Sequence, residues 1–107
     1  MNTLVIMAFQ DKRSEDGHEV ALTPKSQADA DALRDALGSR RIDEAMLFPS
    51  ATAVAIPAAK IAQSLGSPHG QRHVAKIADP ALRAKLDELR TALSSGVKAA
   101  FARVRTD

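Results

Sequence analysis

A chain of 107 residues with 45% hydrophobic and 26% charged residues is sized for one globular domain with a single core, not for a disordered segment. It has no cysteine, which excludes disulfides, thiolate metal sites and a cysteine nucleophile, and its 3 aromatic residues are all phenylalanine, which argues against nucleic-acid modules built on base stacking. The net charge of +2 is unevenly spread: residues 1–70 carry 7 Lys/Arg against 9 Asp/Glu, residues 71–107 carry 8 against 4, so the C-terminal third is mildly basic.

Residues 3–9 (TLVIMAF) form a continuous apolar run with β-branched members, the pattern of a strand covered on both faces. The run has no basic segment before it and is far too short to span a membrane, so a cytoplasmic protein is expected. The polar stretch QDKRSEDGHEVA reads as a loop with a short extended piece at 19–22. Thr23-Pro24 is a helix start, a capping hydroxyl followed by a proline in the first turn, and Gly38 is its stop. Between them Ala28, Ala32, Leu33, Ala36 and Leu37 make the inner stripe. Residues 42–48 (IDEAMLF) read as a second strand. A second helix follows, capped by Ser50 or begun near Ile56 so that Pro57 lies in its first turn, and closed by Gly66.

SPHGQRH reads as a loop and residues 73–77 as a short edge strand. Asp79-Pro80 is another cap followed by a first-turn proline. Leu82, Leu86, Leu89, Leu93, Val97, Phe101 and Val104 then recur at helical steps, interrupted by the SSG at 94–96. A bend at Gly96 that folds the tail back is the competing reading of this stripe.

The order strand, helix, strand, helix with short links implies parallel strands and right-handed crossovers. The expected fold is therefore a small three-layer α/β domain over residues 1–107, with a short, mostly parallel sheet, flanking helices and a long C-terminal amphipathic helix over 79–105.

These spacings resemble the first half of the histidine phosphatase superfamily, the phosphoglycerate mutase-like fold. That family opens with a strand ending in Arg-His-Gly, continues through Leu-Thr-x-x-Gly-x-x-Gln-Ala-x-x-Leu, and follows with a strand and a Ser-Pro-x-x-Arg-x-x-x-Thr-Ala helix. Here TLVIMAFQ, LTPKSQADADAL and RIDEAMLF stand in those places, with Leu22, Thr23, Ala30, Leu33 and the closing Leu65-Gly66 in register, so the resemblance covers residues 3–66. It implies a scaffold stripped of its chemistry. The triplet falls on Ala8, Phe9 and Gln10, and the second phosphate-binding arginine on Ala53, leaving neither nucleophile nor cations for a phosphoryl group.

Other candidates come from the residues themselves. His69 and His73 are four apart, a metal-compatible spacing on a helix, but Pro68 and Gly70 point to surface loop histidines. Asp11, Glu15, Asp16 and Glu19 form an acidic loop balanced by Lys12 and Arg13. Arg40 and Arg41 follow Gly38, where a helix C-terminus favours cations and an anion site is the alternative. The stripe through Leu86, Leu89, Leu93, Val97 and Phe101 is long for so small a domain and is the expected self-association surface. No cofactor and no metal centre are expected.

The resulting expectation is a non-catalytic binding or regulatory module with a protein partner or a second copy, and no membrane. The alternatives are a small phosphohydrolase using His18, His69 or His73, and a nucleic-acid-associated protein using the basic C-terminal helix.

Overall fold

The computed structural model describes residues 2–10, 17–47, 52–94 and 96–106. The predicted cap Ser50, the end of the predicted strand at Phe48, and Asp11, Lys12, Arg13, Glu15 and Asp16 of the acidic loop lie outside the described residues.

The apolar N-terminal run is a strand, β1 (Asn2–Phe9). It is internal to its sheet, with a partner on each side, so its backbone donors and acceptors are satisfied in both directions. On one side lies β2 (His18–Leu22), with Ile6 opposite Val20. On the other lies β4 (Ala99–Thr106), paired along the full length from Asn2 opposite Thr106 to Phe9 opposite Ala99. A two-residue strand, β3 (Val54–Ala55), closes the far edge against β4, giving the order β2-β1-β4-β3.

All pairings are antiparallel, which overturns the mostly parallel sheet expected from the sequence. The cause lies in the segment read as the second strand. It is a helix, α2 (Arg40–Leu47), in which Ile42 and Ala45 are buried and Met46 is half-buried. Those positions are i, i+3 and i+4, one face of a helix, and Asp43 and Glu44 suit a strand interior poorly. The place a parallel strand would take beside β1 is filled by the C-terminal segment running the other way.

That segment carries the second correction. The predicted helix over 79–105 ends early, as α5 (Pro80–Ser94), and Gly96 turns the chain at φ 70°. Residues 99–106 then alternate: Ala100, Ala102 and Val104 are buried while Phe101 and Arg105 are exposed, a strand's period of two. The helical start at Asp79 is as expected, with its side chain accepting from the Ala81 N–H at 3.0 Å.

Helix α1 (Gln27–Leu37) is capped by Ser26, whose Oγ accepts from the Asp29 N–H at 3.1 Å; Thr23 lies three residues too early. Gly38 ends it in the left-handed region at φ 59°. The inner stripe is Asp29, Ala32, Leu33, Ala36 and Leu37, with Ala28 turned outward. Buried Asp29 accepts from the backbone N–H groups of Ala78 at 3.0 Å and Asp79 at 3.4 Å, tying the start of α5 to α1. Helix α3 (Ala58–Gly66) begins directly after Pro57. SPHGQRH, read as a loop, lies largely in helix α4 (Pro68–Ala75). Ser67 caps it by accepting from the Gly70 N–H at 3.0 Å, and Pro68 sits in its first turn, where no N–H is needed. A Cβ on Gly70 would strike the Ser64 carbonyl, so α4 crosses α3 at a distance only glycine permits.

The buried apolar side chains of the helices join one cluster with Leu4, Ile6 and Ala8 of β1, Val20 and Leu22 of β2, and Ala100, Ala102 and Val104 of β4. The core therefore lies on one face of the sheet, and no described helix buries apolar side chains against the other. Among the described residues, the expected three layers are corrected to one face packed under helices and one face without them.

Candidate functional site

The helix-free face is built by the alternate residues of the same strands. Val5, Met7 and Phe9 of β1 stand beside Phe101 and Arg103 of β4, because neighbouring positions on a strand point to opposite sides. The register sets Glu19, Met7 and Phe101 in one row and Ala21, Val5 and Arg103 in the next. Val5 is buried as a floor, Met7 and Phe9 are half-buried, and Phe101 is 37% exposed. The Phe9 and Phe101 rings meet edge to face with centroids 5.9 Å apart. Together with Ala53 these side chains line an apolar hollow of about 170 Å³ with Arg103 at its rim. Gly17 lies against the Phe9 ring: a Cβ there would be 2.7 Å from it, so the chain passes too close for any other residue without moving that ring.

The predicted self-association stripe divides at this point. Leu86, Leu89 and Leu93 are buried in the monomer's own core, so they are not available to a second copy. Val97 is half-buried against the same core, and only Phe101, on a strand and not on the helix, reaches solvent. Arg103 and Arg105 of the basic C-terminal third share its face, so these two cations are borne by the sheet, while Arg83, Lys85 and Arg90 lie on α5.

The positions that the phosphatase resemblance implied also separate. Ala8 faces the helical core, whereas Phe9 and Ala53 face the hollow on the other side, so they do not edge a common pocket. Arg40 and Arg41 open α2 instead of closing α1, which places cations at the positive end of a helix dipole, the reverse of the expectation. Both are exposed, and Arg41 lies 3.8 Å from Glu44.

His18 on β2 contacts Glu88 of α5 through Nε2 at 3.2 Å, and Lys85 Nζ lies 3.3 Å from the other carboxylate oxygen. The hydrogen bond from His18, and then that from Lys85, hold the Glu88 carboxyl below its ordinary range. The His18 and Glu88 side chains are 54% and 40% exposed, so water screens the pair, and its cleft with Gln10 and Thr91 is open. His69 and His73, by contrast, meet on α4 with their Nε2 atoms 3.3 Å apart. The histidines fall at two separate places, and among the described residues no three of His, Asp or Glu converge on a common point.

Sequence reasoning missed a further cleft, of about 300 Å³, between α1, α2 and the Asn2/Val104 end of the two central strands. Its polar arms are engaged with one another: Gln27 donates to Asp31 at 2.9 Å, and Arg34 lies 3.8 Å from Asp31 and 3.9 Å from Asp43. No signal in the sequence marks it, since it arises from the helix that was read as a strand.

No family model, no curated protein and no solved structure matches this chain. No helix among the described residues is long and apolar enough to cross a membrane.

Proposed function

We propose that this chain is a non-catalytic binding module whose working surface is the helix-free face of the sheet, and that its partner there is a second copy of the same chain. The observation that carries this reading is Phe101, 37% exposed beside half-buried Met7 and Phe9, on a strip that crosses the two central strands and that no described helix covers. The charges around the strip support self-pairing. Glu19 lies on β2 at one side, and Arg103 and Arg105 lie on β4 at the other. A two-fold axis along β1 sets β2 of one copy over β4 of its partner, so each Glu19 approaches the strand that bears the other copy's Arg103 and Arg105, and the two β1 strands face each other at the axis.

Light scattering on the purified protein over a wide concentration range tests this. The expected result is a dimer mass that Phe101→Glu reduces to a monomer without changing the circular dichroism spectrum. Glu19→Arg is expected to weaken the dimer and Arg103→Glu in the same chain to restore it. A monomer at every concentration overturns the reading. Retention of that monomer on single-stranded DNA, lost in Arg103→Glu, would transfer the face to a nucleic-acid partner.

A further inference from the structure

We propose that His69 and His73 form a two-histidine chelate for a divalent transition-metal ion that favours tetrahedral coordination by imidazole, with zinc as the type. The site is independent of the sheet face, because α4 packs across α1 and α3 in the helical layer.

Four residues apart on a helix, the two side chains share one face, and here the rings come together with centroids 4.6 Å apart and Nε2 atoms 3.3 Å apart. An ion bound at the usual zinc–nitrogen distance of about 2.0–2.1 Å from each Nε2 is spanned by that separation at close to the tetrahedral angle. The spacing is thus the bite of a zinc chelate before any ion is present.

Binding needs one particular tautomer: at 3.3 Å the two Nε2 atoms lie at hydrogen-bonding distance, so a proton held on one of them must leave as the ion enters. Both Nε2 atoms must offer lone pairs, so each proton must sit on Nδ1. His73 Nδ1 lies 3.9 Å from the Asp35 carboxylate on α1, a short closing movement from the second-shell hydrogen bond that orients metal-bound histidines. The His73 side chain is only 17% exposed, so packing already restricts its ring, while His69 remains open to solvent.

The backbone beneath is fixed as well. Ser67 caps the helix, and Gln71, between the two histidines, donates to the Leu65 carbonyl at a distance of 2.6 Å. With two protein ligands, the remaining coordination positions fall to water or to a donor from another molecule.

The test is titration of the untagged protein with zinc chloride against a chromogenic zinc indicator, followed by cobalt substitution. One zinc per chain is expected, with a tetrahedral visible band for cobalt. Binding should weaken at least tenfold in both His69→Gln and His73→Gln, and roughly tenfold in Asp35→Asn. Zinc should raise the melting temperature of the wild type and not of the histidine variants. Zinc binding unchanged in His69→Gln, or absent from the wild type, overturns the proposal. If a variant fails to fold, the His69 and His73 ring signals of the wild type decide it by NMR: they must shift on zinc addition, and if they stay fixed the site does not exist.

Discussion

The two faces of one sheet are apolar in their central strands, yet only one is a core. Leu4, Ile6 and Ala8 face a layer of helices, whereas Met7 and Phe9, one residue out of step, face none. Ala100, Ala102 and Val104 repeat the contrast against Phe101 and Arg103 on the neighbouring strand. A continuous hydrophobic run therefore marks a strand wanted on both sides without saying that the same chain covers both. The second side is the one on which the proposed partner would sit, and it carries the row of Glu19, Met7 and Phe101.

Substitutions that act on one face and spare the other sharpen this contrast. The largest effect is expected at Ile6, fully buried on the helix side: Ile6→Ala should cost about 2–5 kcal/mol of unfolding free energy in a urea titration, by lost transfer energy and a residual cavity. Phe101→Ser, on the other face, should cost the monomer far less; an equal loss would mean that both faces are core. Next comes Asp29→Ala, which strands the Ala78 and Asp79 N–H groups and should cost about 1–3 kcal/mol by the same measurement. No loss would show that the tie between α1 and α5 is dispensable.

The smallest effect concerns Glu88, whose carboxyl is held low chiefly by His18 and then by Lys85. Its folded-state pKa lies below the unfolded value, so its contribution to stability is present above the ordinary carboxylate range and is lost as pH falls through the lower, folded value. The urea midpoint of Glu88→Gln should therefore fall less on acidification than that of the wild type. Parallel curves would show that the contact with His18 has no energetic weight.

Much of the helical side was legible in the sequence. The leucines of α5, its Asp79-Pro80 start and the Gly38 stop of α1 all have local causes that tertiary context did not override. Two segments misled for physical reasons. In IDEAMLF the apolar ending resembled a strand and outweighed the i, i+3, i+4 pattern of Ile42, Ala45 and Met46, which was present but short. In AAFARVRT the inward residues are mostly alanine, too weakly apolar to announce an alternation, while Val97, Phe101 and Val104 happened to continue a helical count. The open face was invisible because it depends on which strands became neighbours, and that followed from the misread segment. The histidine pair was discounted because Pro68 and Gly70 suggested a loop. A proline in a first turn and a glycine required by close helix crossing are both compatible with a helix, and only packing distinguishes the cases.

The placement of β4 between β1 and β3 has a consequence for synthesis. A chain emerging from the ribosome displays β1 with one edge bare until residues 99–106 arrive, because its longest pairing is with the segment farthest from it along the chain. Closing so distant a contact is slow, and the β1–β2 ribbon alone is marginal in water. Nascent or truncated chains that stop before residue 99 should be sticky species drawn to any strand that offers the missing hydrogen bonds, and a short peptide of sequence AAFARVRT is the natural agent to rescue them.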